Sequence, residues 1–128
     1  MKALIIRPQP GADATARRFK GAGYAPVLMP LFSIEHLPPP SVSVKVYDAF
    51  LLTCGYAARA ATGFLDSARD IPIYAVGSAT ASALAHLGLP VAATGSSGVD
   101  ALVGVAAADG HKKLLWLAGE DHSTVPQI

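Results

Sequence analysis

Short, continuous apolar runs alternate along the chain with longer stretches whose apolar positions recur at helical spacing. Residues 3–6 (Ala-Leu-Ile-Ile) are one such run, closed by Arg7 and Pro8. Residues 13–22 suit a helix, with Asp13 as its cap, Arg17, Arg18 and Lys20 toward its C-terminal half, and Gly21 and Gly23 as stops. Residues 26–34 read as extended, but Pro30 brings no N–H to a ladder, so this segment belongs at an edge or in a connecting ribbon. Three prolines, Pro38 to Pro40, then form the stiffest stretch of the chain, a linker or crossover. Beyond them the alternation sharpens. Strands are expected at 48–53, 71–76, 90–93 and 113–118, and helices at 56–66, 79–87 (stopped by Gly88) and 98–109. The last helix has Ser97 as its cap and Asp100 three positions on, a short capping box. Strands that are apolar throughout and alternate with helices need cover on both faces. The expected class is therefore α/β: a parallel sheet with helices on both faces, three-layered and flavodoxin-like.

Composition narrows what such a domain can do. Of 128 residues, 52% are hydrophobic and 15% charged, which excludes a disordered acidic tail. Alanine supplies 24 of the hydrophobic residues, so the core is built from small side chains packed closely. Ten Lys and Arg against nine Asp and Glu give a net charge of +1, which excludes a polybasic nucleic-acid binder and leaves no nucleic-acid partner expected. Cys54 is the one cysteine, so neither a disulfide framework nor a cysteine zinc site can form within the chain. Arg7, Arg59, Asp66 and Asp70 interrupt every candidate membrane span, and the first apolar run is too short for a secretory signal. With the lone thiol, this favours a cytoplasmic protein with no membrane partner.

The chemistry is expected where the strands end. Thr53, Cys54 and Gly55 follow one strand, and Gly77, Ser78, Ala79 and Thr80 follow the next. Thr94 to Gly98 follow the third, and Gly119, Glu120, Asp121, His122 and Ser123 the fourth. In a parallel sheet these turns share the carboxyl edge, where open α/β folds bind ligands. Small and hydroxyl residues let a ligand approach backbone N–H groups, and helix N-termini favour anions. A phosphate or carboxylate ligand is the natural expectation, although the same residue types also cap helices. A GxxxxGK[ST] phosphate loop and a dinucleotide fingerprint are both missing from the sequence. Cys54 is a nucleophile candidate if His122 approaches it, or else a packing residue. Arg7 ends its strand, where it can meet a substrate carboxylate or form a salt bridge across the sheet edge. His36, His86, His111 and His122 share no metal-ligand spacing.

Several segments, in order, resemble uroporphyrinogen-III synthase. They are the first strand ending in Arg7-Pro8, the Pro26–Glu35 segment running into the proline-rich crossover, Leu51–Ala60, Ile73–Leu84 with its Val-Gly-x-x-Thr-Ala core, and Leu114–Asp121. The resemblance implies a cofactor-free lyase of porphyrin biosynthesis that closes hydroxymethylbilane with inversion of ring D. Its substrate is a linear tetrapyrrole with acetate and propionate arms, held between two α/β domains largely by backbone amides at strand ends. By motif, Thr80 corresponds to the family's threonine near the reacting end of the substrate. Arg7, Thr53, Cys54, Gly55, Gly77, Ser78, Ala79, Gly119 and Glu120 would supply binding turns. Cys54 stands where the family usually has Ser.

The family's chain is about twice as long. On its layout residues 1–35 are a βαβ portion of the first domain, 36–47 a proline-rich crossover, and 48–128 most of the second domain. The expectation is a truncated form with half a cleft and little activity as a monomer. Its exposed sheet edges at 3–6 and 113–118, or a segment swap, favour a homodimer. Two other readings fit the pattern less fully. One is a non-catalytic module binding anions or tetrapyrroles. The other is a flavodoxin-like signalling or nucleotide-binding domain, whose acidic phospho-acceptor cluster and Gly-rich phosphate loop are missing.

Overall fold

The computed structural model describes residues 1–38 and 41–119. The chain divides into two compact units, Met1–His36 and Leu37–Ile128.

The first unit is a single βαβ. Strand β1 (Lys2–Ile5) and strand β2 (Ala25–Leu28) pair in parallel, with Leu4 opposite Val27 and Ile5 opposite Leu28. Helix α1 (Gly11–Gly21) connects them. Asp13 is not its cap, because the helix starts two residues earlier, after Pro10. Gln9 takes that role: its side-chain oxygen accepts from the Asp13 N–H at 3.1 Å, and its amide nitrogen donates to Asp13 Oδ1 at 2.9 Å. The extended segment is shorter than the expected 26–34, although Met29 and Leu31 still donate to the carbonyls of Ile5 and Ile6. Pro26 and Pro30 fall on the alternate positions, whose N–H would point away from β1. This is how an edge strand accommodates proline. Ile5 and Ala12 are the buried hydrophobic residues of this unit. Leu4, Ile6, Val27 and Met29 remain between 45% and 60% exposed.

The second unit holds a four-stranded parallel sheet in the order β5-β4-β3-β6, with β3 Ala49–Leu52, β4 Ile73–Val76, β5 Ala93–Gly95 and β6 Leu114–Leu117. The chain steps twice in one direction, from β3 to β4 to β5, then reverses and lays β6 on the other side of β3. Parallel crossovers keep one hand, so a reversal in direction requires the connecting helix to change face. The packing follows. Helices α2 (Gly55–Ala60), α3 (Thr62–Asp66) and α4 (Ser78–His86) bring Ala58, Ala61, Leu65 and Leu84 against Phe50, Leu52, Ile73, Ala75 and Leu117. Helix α5 (Val99–Ala108) brings Leu102 and Ala106 against Ala49, Leu51 and Tyr74. All four residues of β3 are buried, two to each face. This three-layer parallel architecture is the class expected from the sequence. The strand order is third-second-first-fourth, however. It matches the doubly wound dinucleotide-type order and not the flavodoxin order, and no local pattern encodes which side of β3 the last strand joins.

Three element boundaries also differ from expectation. The helix at 56–66 is interrupted at Ala61 (φ −97°, ψ 12°), where the Thr62 hydroxyl donates to the carbonyls of Arg59 (2.8 Å) and Ala58 (3.2 Å). Such back-bonding bends a helix. Strand β5 begins at Ala93 and not at residue 90. Leu89 is committed to the core beneath the helices, Pro90 lacks an N–H, and the ladder opens only with Ala92 donating to Ile73. Ser97 does not cap α5. Gly98, at φ +95°, is the N-cap residue, and no side chain bonds to the helix there.

The amino edge of the sheet is fixed by polar contacts. Asp48 Oδ2 accepts from the backbone N–H groups of Lys112 and Lys113, each at 2.9 Å, which ties the start of β3 to the approach of β6. Those two hydrogen bonds hold the Asp48 carboxyl below its ordinary 3.8. The Tyr74 hydroxyl donates to Asp109 Oδ2 at 2.6 Å, and this bond, with burial, pushes the phenol up to about 12.

Because the folded carboxyl of Asp48 titrates below its unfolded value, its contribution to stability is present above pH 3.8 and is lost as the pH falls through the lower folded value. The melting temperature of Asp48→Asn should therefore lie below that of the wild type at pH 7. The gap should narrow as the pH falls below 3.8, as read by circular dichroism melts across the acid range.

Candidate functional site

The reversal of strand order puts a switch point between β3 and β6. In open parallel sheets the crevice for a ligand lies at the carboxyl ends of the strands on either side of such a point. Here those ends are Thr53-Cys54 after β3 and Ala118-Gly119 after β6, with Gly77-Ser78 after β4 beside them.

Each turn is shaped by its residues. Thr53 continues β3 on the face that carries Leu51, and Trp116 sits opposite Leu51 in the ladder. The indole therefore reaches one step toward the carboxyl edge, and its Nε1–H donates to Thr53 Oγ1 at 3.2 Å. Cys54 is extended (φ −151°, ψ 153°) and half-buried, with its thiol free. Gly55 opens α2 at the contact with α4, where a Cβ would come within 3.2 Å of Ala83 Cβ and 3.4 Å of an Arg59 guanidinium nitrogen. A side chain at position 55 would require Ala83 and the Arg59 guanidinium to give by a few tenths of an ångström.

Gly77 ends β4 at φ +82° and ψ 151°, a conformation that side chains strongly disfavour. Its N–H donates to the carbonyl of Gly95 at 2.7 Å, which extends the β4–β5 ladder to the rim. The chain then turns directly into α4 with no side-chain cap. Gly98 repeats the device before α5. The first-turn N–H groups of both helices are thus left for water or a ligand, in a field that favours negative charge. Ser78 and Ala79 lie at the start of α4, near the surface. Thr80, one residue on, is 3% exposed, the buried polar residue among those described.

The structure therefore gathers Thr53, Cys54, Gly55, Gly77, Ser78, Ala79 and Gly119 onto adjacent strand ends of one sheet, with Thr80 beneath the rim. Arg7 lies in the first unit, where its Nη1 donates to Thr15 Oγ1 at 2.9 Å and not to a carboxylate. Glu120 and His122 lie outside the described residues. In the second unit His86 closes α4 and His111 precedes β6, so both sit toward the amino edge, away from Cys54. His86 Nδ1 lies 2.9 Å from the Ser82 carbonyl. Among the described residues no group of His, Cys, Asp and Glu is placed to hold a metal ion, and no helix is long and apolar enough to cross a membrane.

Two features escaped the sequence reading. Trp116 is legible only as a strand residue, and its bond to Thr53 depends on the β3–β6 register. The amino-edge tie of Asp48 to Lys112 and Lys113 depends on the same register. The one available signal was the solitary tryptophan near a strand end.

Fold and rim together define a parallel α/β domain whose carboxyl edge offers main-chain donors, hydroxyls and small residues, a surface suited to a polyanionic ligand. The particular family follows from comparison. The profile of uroporphyrinogen-III synthase HemD matches residues 13–125, and the chain belongs to that family. Among solved structures it is similar to uroporphyrinogen III synthase from an extremely thermophilic bacterium, Thermus thermophilus, with 24% identity, 82% of this chain and 47% of that chain covered, and a TM-score of 0.41. A second Thermus thermophilus uroporphyrinogen III synthase structure gives 23% identity, 82% and 48% coverage, and the same TM-score. The chain thus spans about half the length of the solved structures it matches. No curated protein matches it.

The rim glycines make opposite predictions from an ordinary helical glycine. Gly77→Ala places a Cβ at φ +82° and should cost on the order of 1–2 kcal/mol. Gly104→Ala, in α5 with nothing within 4 Å of its Cβ, should gain about 0.5–1 kcal/mol. Urea midpoints of the two variants check both signs.

Proposed function

We propose that this chain carries the carboxyl-edge half of a uroporphyrinogen-III synthase site. That site binds the carboxylate arms of a linear tetrapyrrole and favours its cyclisation with inversion of ring D. The observation that carries the reading is the pair of turns at 53–55 and 77–80, both without a side-chain cap, with Gly119 on the neighbouring strand end, in a chain whose family membership spans residues 13–125. Hydroxymethylbilane closes unaided to the type I product. The work left to the protein is to hold a flexible polyanion in the shape that leads to type III, a proximity and orientation effect. Backbone N–H groups and the hydroxyls of Thr53 and Ser78 suit that task, with Gly55, Ala79 and Gly119 keeping the approach open and Cys54 lining it. Arg7 and Glu120 are further binding residues in this reading. No cofactor takes part.

Thr80 is the catalytic threonine in this proposal. It lies in the first turn of α4 next to the exposed Ser78 and Ala79 and is itself buried. That same burial favours a second reading, in which the chain binds a tetrapyrrole without catalysing its closure.

The domain assignment proposed is residues 1–35 as a portion of the family's first domain, 36–47 as the crossover, and 48–128 as most of the second. The sheet edges at 3–6, where Leu4 and Ile6 are exposed, and at 113–118, or a segment swap, are the routes by which a homodimer would form. The proposed setting is a cytoplasmic lyase of porphyrin biosynthesis with neither a nucleic-acid nor a membrane partner.

The test is the isomer ratio of uroporphyrinogen after hydroxymethylbilane is supplied at rising protein concentration, with light scattering on the same samples. Type III product above background, rising as the dimer forms, is the expected result. Type I alone at every concentration, with uroporphyrin still bound, would replace catalysis by the binding reading.

A further inference from the structure

The hydrogen bond between β6 and β3 at the switch point has a direction that chemistry fixes. An indole nitrogen carries a hydrogen and has no lone pair to offer, so Trp116 can only donate and Thr53 Oγ1 can only accept. The hydroxyl hydrogen of Thr53 is left for another acceptor. No other hydrogen bond of that hydroxyl is present among the described residues. Thr53 is half-buried at the carboxyl end of the central strand, one residue before the turn that opens α2. Trp116 is itself held. It packs with the group formed by Ala49, Leu51, Tyr74, Leu102 and Ala106, between the sheet and α5, so the direction of its N–H is set by the core and not by solvent.

We propose that Trp116 is a positioning residue. Its indole N–H occupies one acceptor site of Thr53 and thereby presents the threonine hydroxyl as a ready donor to a carboxylate at the carboxyl edge. A threonine hydroxyl without that contact loses rotational freedom when it turns its hydrogen, and not its lone pairs, toward a carboxylate. Fixing the donor in advance removes that loss, and a donor that is itself accepting a hydrogen bond is polarised toward giving its own. The ligand class selected is a carboxylate-bearing one. The inference rests on the reading of this edge as a tetrapyrrole-binding site.

The experiment uses the full chain and uroporphyrin III, an octacarboxylate, as the probe, with binding followed by porphyrin fluorescence. Thr53→Val, which keeps the shape and removes the hydroxyl, should weaken binding about tenfold or more, as expected for a hydrogen bond to a charged group. Thr53→Ser should bind within about twofold of the wild type. Trp116→Phe should weaken binding about three- to tenfold, and adding it to Thr53→Val should cost nothing further, because the two residues act as one unit.

The chain has a single tryptophan, so the free protein gives one indole N–H resonance. It should keep its position in Thr53→Ser and move in Thr53→Val. If Trp116→Phe is poorly folded by circular dichroism, the serine and valine variants and this resonance decide the matter. Two results would overturn the proposal while leaving the site intact: Trp116→Phe binding as the wild type does while Thr53→Val is weakened, or additive losses in the double variant. Failure of the wild-type chain to bind uroporphyrin III would instead remove the site reading, and the proposal with it.

Discussion

The burial of β3 on both faces is the constraint from which the second unit follows. Ala49 and Leu51 face α5, while Phe50 and Leu52 face α2 to α4, and none of the four is more than 2% exposed. A strand with no solvent side needs a neighbour on each edge and a helical layer above and below. The chain meets both needs by stepping twice one way and once the other. That reversal sends α5 to the second face and leaves β3 and β6 side by side at their carboxyl ends. The switch point at the carboxyl edge is a by-product of covering one apolar strand completely.

Small side chains make this cover possible. Ala58, Ala61, Ala68, Ala75, Ala83 and Ala106 are all buried, and a Cβ at Gly55 would come within 3.2 Å of Ala83 Cβ, a tight contact. Helices over such positions lie close to the sheet and to one another, so the turns that lead into them are tight. Tight turns after strands call for glycine where the backbone adopts positive φ, as at Gly77 and Gly98. A glycine at the N-cap brings no capping side chain. Close packing and an open set of main-chain donors are thus two sides of one choice of residue.

Much of this was legible in the sequence. The apolar runs at 48–53, 71–76 and 113–118 could be read as strands because they need cover on both faces, and the glycines and hydroxyls after them marked the edge. What escaped was long-range or depended on competition between local preferences. The serine at 97 is a good cap by composition, yet Gly98 takes the position because the turn requires positive φ. Pro90 and Val91 look like strand, yet Leu89 anchors that stretch under the helices and delays the ladder to Ala93. The side on which β6 joins β3, and with it the strand order and the Trp116–Thr53 bond, is set by handedness and register, which no single segment carries. Thr80 was legible as a motif residue, but its depth was not, since burial depends on what α4 packs against.

The ties between Asp48 and the Lys112–Lys113 backbone join groups 64 and 65 positions apart. They join the first strand of this sheet to the last of the four in chain order. The central strand is made early, while the strand that closes its second edge is made last of the four. On the ribosome β3, β4 and β5 can assemble with their helices while one side of β3 still shows unpaired N–H and C=O groups and the sheet waits for α5. Such an edge recruits whatever strand is nearest. The interval before β6 arrives therefore leaves one side of β3 open to mispairing.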